Sequence, residues 1–243
     1  MKGVVLAGGL GTRFHPVTKV VNKHLLDVFD EPMVLYPIRT LVRAGIEDVI
    51  VVSGEELGQF RRLFDGLDLG ATMSYAVQEG SGGIADALAR AEDLVGGERC
   101  VVILGDNIFQ DDIAPFVAAF ERQETGAKVL LKEVAIEDAK RFGVAEIRDG
   151  RIVRVQEKPR DPASNLIQTG CYMYDDRVFD FIRSLTPSSR GELEVTDLNN
   201  RYIDEGSMTF DVLPGWWTDA GTPASKLKAS ILVALQKGVV FHQ

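Results

Sequence analysis

Apolar residues fall along the chain in two alternating rhythms. Short β-rich runs at 2–7, 48–53, 72–78, 100–105 and 127–133 are separated by stretches where apolar positions recur at helical spacing. Val34, Ile38, Leu41 and Val42 form one such stripe, and Ile84, Ala87, Leu88, Ala91 and Leu94 form another. Strands alternating with helices are the pattern of a parallel sheet whose connections cross over through helices. The stripes therefore predict core, not contacts to a cofactor.

Past residue 140 the rhythm changes. The runs 143–147 and 151–155 flank Asp149-Gly150, a strong hairpin-turn pair, so an antiparallel addition follows the parallel half. The remainder predicts a strand at 168–174, helices near 176–185 and 194–205, a strand at 208–213 and a closing helix over 223–237. With no repeat, low-complexity tract or linker, residues 1–243 are expected to form one domain. The fold class predicted is α/β: a Rossmann-like three-layer sandwich with a mostly parallel sheet plus an antiparallel hairpin region.

Composition narrows the function. The chain has 36 acidic and 27 basic side chains, a formal net charge of -9, which argues against a general nucleic-acid or anionic-membrane binder. Any polyanionic substrate must then meet a local cluster of cations or a metal. The apolar start, Val4-Val5-Leu6-Ala7, stops at Gly8, too short for a secretory leader, and no apolar run approaches membrane-spanning length. A soluble, cytoplasmic protein is expected. Cys100 and Cys171 sit in apolar runs and predict buried strand thiols, with no zinc or disulfide pattern. His15, His24 and His242 have no metal-ligand spacing and no paired nucleophile; His15 and His24 flank the glycine loop and could shape it.

That loop, Leu6-Ala7-Gly8-Gly9-Leu10-Gly11-Thr12-Arg13, begins where the first strand ends, at the carboxyl edge where open α/β sheets bind ligands. Glycines there let backbone N–H groups approach phosphate oxygens, and Arg13 adds a planar guanidinium. Two familiar phosphate loops fail: Phe14 stands where a dinucleotide loop needs glycine, and Gly11-Thr12-Arg13 stands where a P-loop needs Gly-Lys-Ser/Thr. The loop is expected to cradle a triphosphate.

These residues, with Pro16-Val17-Thr18 and Lys23, resemble the signature of sugar-nucleotide pyrophosphorylases. Further matching stretches are Val77-Gln78, Leu104 to Phe109, Phe142-Gly143-Val144, Glu157-Lys158-Pro159, Arg190 to Asp197 and Trp217 to Thr222, in order over nearly the whole chain. The resemblance is strongest to the thymidylyltransferase branch, which joins dTTP and glucose 1-phosphate to give a nucleotide sugar and pyrophosphate. It implies a magnesium-dependent enzyme and a homo-oligomer, with residues 1–140 serving mainly the nucleotide and 141–243 mainly the sugar phosphate. By the same resemblance Leu6, Ala7, Gly8, Gly9, Gly11, Thr12, Arg13, Lys23, Gln78 and Gly83 would hold the nucleotide. Asn107, Gly143, Glu157, Lys158, Gln168 and Arg190 would hold the sugar phosphate, and Asp106 with Asp219 the Mg²⁺. Arg13, Lys23, Asp106 and Lys158 would carry the catalysis.

The residues read one by one support these roles unevenly. Asp106 directly follows the run 100–105, which places its carboxylate at the sheet's carboxyl edge beside the glycine loop, while Asn107, Asp111 and Asp112 are better placed to cap the next helix. Two carboxylates with substrate oxygens and water suffice for magnesium. Taken without the resemblance, Lys158 reads as a surface lysine. The Gln78 amide can match thymine or uracil and, rotated, cytosine, so UTP- and CTP-using enzymes of the same architecture stay open, as does a catalytically silent nucleotide sensor. No protein nucleophile is needed, because a phosphate monoester is already largely dianionic at neutral pH.

Departures from the family pattern are Asn22 and His24 around Lys23, Asp27 where proline is usual, and Phe142 where tyrosine is common. The chain ends soon after the helix 223–237, without the longer carboxyl-terminal segment that builds a regulatory nucleotide site, so feedback through such a site is not expected.

Overall fold

The computed structural model describes residues 1–54 and 56–240. In chain order, the first half contains β1 (Lys2–Leu6), β2 (Asp27–Val28), β3 (Glu31–Pro32), α1 (Leu35–Arg43), β4 (Asp48–Ser53), α2 (Leu57–Phe64), β5 (Thr72–Val77), α3 (Ile84–Ala89), α4 (Glu92–Val95), β6 (Cys100–Leu104), β7 (Asn107–Phe109) and α5 (Ala114–Glu121). There follow β8 (Ala127–Glu133), α6 (Ile136–Ala139), β9 (Gly143–Arg148), β10 (Arg151–Glu157), β11 (Leu166–Tyr174), α7 (Val178–Ser184), α8 (Val195–Asp204), β12 (Met208–Val212), β13 (Trp217–Asp219) and α9 (Pro223–Gln236).

The main sheet runs β10-β9-β11-β6-β1-β4-β5, with β8 pairing both β11 and β12. β1, β4, β5 and β6 are parallel to one another, and β11 enters antiparallel to β6. Side chains of β1 alternate strictly: Val4 and Leu6 join one apolar core, and Val5 the other, on the opposite face. The same alternation holds in β4, where Ile50 and Val52 face the first core and Val49 and Val51 the second. Burial on both faces is why these strands are apolar throughout, at about 1.5–3 kcal/mol per large side chain removed from water. Cys100 and Cys171 are fully buried within these cores, and burial pushes the Cys100 thiol up to about 12.

The expected hairpin is present as β9 and β10, and Asp149 and Gly150 both have positive φ, 49° and 73°. That pair of left-handed residues matches the strands' twist.

Two expectations are corrected. The stripe from Ile84 to Leu94 is broken into α3 and α4, because the amides of Arg90 and Ala91 bond three residues back to Ala87 and Leu88 and tighten the chain there. The rotation after the break turns Leu94 outward, to 37% exposure. The second correction concerns 127–133: β8 does not extend the parallel set beside β6, because β11 lies between them. The antiparallel strands thus share the sheet with the parallel ones instead of being appended to it. Among the described residues no helix is long and apolar enough to cross a membrane.

Candidate active site

At the carboxyl ends of β1 and β6 the chain opens into a cleft of about 500 Å³. Its floor is local backbone chemistry. After β1 the chain turns through Gly9 and Gly11 with φ of 97° and 60°, a conformation only glycine takes without strain. Gly11 also lies against Thr18 and Lys23, whose Cβ would be 3.2 Å from an added methyl, so the loop packs directly on the segment carrying Lys23. Asn22 ties that segment down, donating from Nδ2 to the Ala7 carbonyl (3.3 Å) and accepting from the His24 amide and Nδ1 (2.9 Å each). His24 is buried, and burial, with the Lys23 ammonium beside it, drops its pKa to about 3, so it is a neutral structural ring. His15 is exposed, and His242 lies outside the described residues.

Lys23 Nζ donates to Asp106 Oδ2 at 2.7 Å, and Asn107 Nδ2 donates to Asp106 Oδ1 at 3.0 Å. Burial works against the Asp106 carboxylate, but the Lys23 ammonium and these hydrogen bonds hold it well below the usual carboxylate range. Asp106 caps no helix; the carboxylate nearest the start of α5 is Asp112, which accepts from the Ala114 amide at 3.0 Å, one residue before the N-cap Ile113. Asp219 arrives from a distant part of the chain on β13, which pairs antiparallel with β7 and sets Asp219 opposite Asn107. The Ala220 amide donates to the Asp106 carbonyl at 2.7 Å and closes the junction.

The convergence can be stated from Gly221. A β-carbon there would lie 3.3 Å from Asp106 Oδ2, 3.4 Å from Asp219 Oδ2 and 3.9 Å from Arg13 Nη1. Two carboxylate oxygens and a guanidinium therefore surround one point beside the Gly221 backbone. Burial and the neighbouring Asp106 charge raise the Asp219 carboxyl, so the two acids are driven apart in acidity. Hard oxygens from two carboxylates, with room beside them, suit a Mg²⁺ ion that takes its remaining ligands from phosphates and water.

The opposite wall comes from the antiparallel half. Lys158 follows β10 with φ of 43°, an uncommon conformation for a side-chain-bearing residue, and its ammonium lies 2.9 Å from Glu157. Arg190 reaches Glu194 at 2.8 Å and Glu157 at 3.5 Å, while Thr196 donates to Glu157 at 2.8 Å. The wall is zipped to the parallel half by backbone: Leu193 N donates to the Gly82 carbonyl (2.7 Å) and Ala85 N to the Leu193 carbonyl (3.2 Å). Gly83, at φ 96°, sits where a β-carbon would come within 2.6 Å of that carbonyl oxygen.

Nearly every residue expected at the site faces this cleft, including Leu6, Gly8, Thr12, Gln78, Gly143 and Gln168. Ala7 does not. It is buried beneath the loop, its carbonyl accepting from Ser53 Oγ and Asn22 Nδ2, so it supports the cradle from below. Asn107 lines the cleft but is largely committed to scaffolding, its Oδ1 accepting from Trp217 Nε1 (2.7 Å) and the Gly170 amide (2.9 Å). Phe142 packs edge-on against Trp217, ring centroids 5.5 Å apart.

Cleft-lining residues unforeseen in the sequence include Arg141, Glu192, Glu194, Thr196 and Trp217. Each borders or lies inside a stretch already singled out, and that adjacency was the available signal. Arg141 matters most, since its charge acts on Asp219.

Residues 2–235 match the family model described as nucleotidyl transferase. The chain is 41% identical over 239 residues to a glucose-1-phosphate thymidylyltransferase of Neisseria meningitidis serogroup A, covering 96% of this chain and 82% of that one. At 47% identity and a TM-score of 0.91 it matches the solved structure of a Bacillus anthracis protein described as a glucose-1-phosphate thymidylyltransferase, in complex with sucrose, covering 100% of this chain and 98% of that one. A UDP-glucose pyrophosphorylase solved with UDP-glucose shares the fold, with a TM-score of 0.86 at 24% identity over 97% of this chain and 98% of that one.

Proposed function

This chain belongs to the nucleotidyl transferase family, and on that premise we propose that it joins dTTP to glucose 1-phosphate, forming a thymidine diphosphate sugar and releasing pyrophosphate. The observation carrying this reading is the meeting of Arg13, Asp106 and Asp219 around one point beside the glycine loop.

In the reaction a phosphate oxygen of the sugar 1-phosphate forms a bond to the α-phosphorus of the nucleotide while the bond from that phosphorus to the oxygen bridging to the β-phosphate breaks. The attacking dianion needs no base, so the site's work is to align two polyanions and to stabilise the departing charge. Arg13, Lys23 and the loop amides would hold the triphosphate; Lys158 and Arg190 would hold the sugar phosphate. Among the described residues five cations face the cleft, Arg13, Lys23, Arg141, Lys158 and Arg190, and five carboxylates, Asp106, Glu157, Glu192, Glu194 and Asp219. Such a balance leaves nothing over for two polyanions. Family members generally use a divalent metal, and Mg²⁺ held by Asp106 and Asp219 would supply the missing positive charge and act as a Lewis acid on the phosphoryl oxygens. Lys23, which neutralises Asp106 at 2.7 Å, would then turn to the substrate phosphates.

Base choice is supported by Gln78. Its Nε2 donates to the Gly83 carbonyl (3.1 Å) and Asp86 Oδ2 (2.9 Å), which uses both hydrogens and leaves Oε1 as an acceptor beside Gly8. An acceptor there suits the N3–H of thymine or uracil and opposes cytosine, whose N3 is itself an acceptor.

The test is pyrophosphate release with Mg²⁺, using glucose, galactose and mannose 1-phosphates against dTTP, UTP, CTP, ATP and GTP. The highest kcat/KM is expected for dTTP with glucose 1-phosphate. Turnover confined to CTP or to purine nucleotides would overturn the base assignment, and binding without pyrophosphate release would point to a silent sensor.

A further inference from the structure

Behind the sugar wall of the cleft lies a chain of buried side chains that ends on Gln168. Gln168 is 5% exposed, and Asn199 and Tyr174 are fully buried. The Tyr174 hydroxyl donates to Asn199 Oδ1 at 2.7 Å, and Asn199 Nδ2 donates in turn to Gln168 Oε1. At the cleft end, the Gln168 amide nitrogen lies over Gly143, 2.5 Å from where a β-carbon would stand, so only glycine at 143 leaves it room.

The direction of this chain is set at its closed end. Were both amides reversed, Asn199 would offer its Nδ2 to Tyr174, and the tyrosine hydrogen would have no acceptor among the described residues. A buried hydroxyl without an acceptor costs about 1–3 kcal/mol, so the reversed arrangement is suppressed. We propose that Tyr174 and Asn199 are positioning residues that lock the Gln168 amide with its N–H groups toward the sugar, making the site select a sugar hydroxyl whose oxygen accepts a hydrogen bond. The proposal rests on the sugar 1-phosphate reading above and adds the device by which one sugar hydroxyl is recognised.

The device has a specific signature. A fluorine accepts weakly and donates nothing, whereas hydrogen does neither. For the hydroxyl facing Gln168, the deoxyfluoro sugar 1-phosphate should therefore outperform the deoxy one. Gln168→Val should abolish that preference, and Tyr174→Phe should lower it without contacting the substrate.

The experiment measures kcat and KM for glucose 1-phosphate and for its 2-, 3-, 4- and 6-deoxy and deoxyfluoro analogues, in wild type, Tyr174→Phe, Gln168→Val and the double variant. Tyr174→Phe is expected to raise the KM for glucose 1-phosphate about 3- to 10-fold, leave the KM for dTTP unchanged, and move the fluoro-to-deoxy ratio at one position toward the Gln168→Val value. In the double variant Tyr174→Phe should add nothing. If Tyr174→Phe does not fold, Asn199→Leu takes its place in the same cycle. Additive losses, or an unchanged ratio in Tyr174→Phe with wild-type turnover intact, would overturn the relay alone. A wild type inert on the whole panel would overturn the relay and the reaction together.

Discussion

The two ends of the cleft hold their charges differently. At the parallel end Lys23 and Asp106 are a nearly buried pair, 18% and 15% exposed, fixed by one contact of 2.7 Å and braced by Asn107 and Asn22. At the antiparallel end Glu157, Lys158, Arg190 and Glu194 share their partners: Arg190 alone reaches three carboxylates, at 2.8, 3.5 and 3.7 Å, and is 43% exposed. A low-dielectric pair is held in one geometry, while a solvated network interchanges partners at little cost. The parallel end is thus held in one geometry, and under the proposed reaction the anion of the sugar phosphate would displace carboxylates from Lys158 and Arg190 at the other.

The sharpest way to break this contrast is Asp106→Asn. The isosteric amide keeps the packing but loses the charge, so kcat for pyrophosphate release should fall by about 10²–10³ while a thermal melt shows a folded protein. A variant with wild-type magnesium-dependent turnover would remove Asp106 from the chemistry. Next comes Gly83→Ala, where the added methyl meets the Leu193 carbonyl oxygen at 2.6 Å in a left-handed backbone. It should cost about 1–3 kcal/mol in denaturant unfolding and loosen the zipper between the two ends.

At the exposed end the effects should be smaller. Lys158→Ala is expected to raise the KM for sugar phosphate about tenfold with little change in kcat, which steady-state kinetics would show. Lys158→Gly should lose the same affinity yet gain up to about 1 kcal/mol of stability, because φ of 43° strains any other residue. Equal melting temperatures for the alanine and glycine variants would dismiss the strain.

The smallest effect concerns Glu157. Burial alone would raise its carboxyl, but Lys158, Thr196 and Arg190 hold it below the ordinary value of 4.5. A depressed pKa means stability that is present above 4.5 and lost as pH falls through the folded value. The melting-temperature difference between wild type and Glu157→Gln should therefore be visible at neutral pH and close in acid.

Local pattern accounted for most of the elements, since alternation and helical spacing act within a few residues, and the sites legible in it are those at strand ends. Asp106 is an example: an apolar run followed at once by a carboxylate and a glycine loop after another run share a sheet edge by geometry alone. Gln78 and Gly83 were legible as residues, but not the hydrogen bonds that turn the Gln78 acceptor toward Gly8. Arg141 carried no pattern of its own, because a lone arginine before a strand is ordinary surface until its fold neighbours are known.

The strands of the main sheet, the glycine turn, the Asp149-Gly150 hairpin and the set of side chains able to meet phosphate were legible in residue order alone, because they depend on contacts within a few residues. It took the folded chain to establish that β11 enters between β6 and β8, that β13 carries Asp219 to Asp106, and that Leu193 closes on Gly82. Those depend on pairings between distant segments, whose choice is settled by burying both faces of the whole sheet at once.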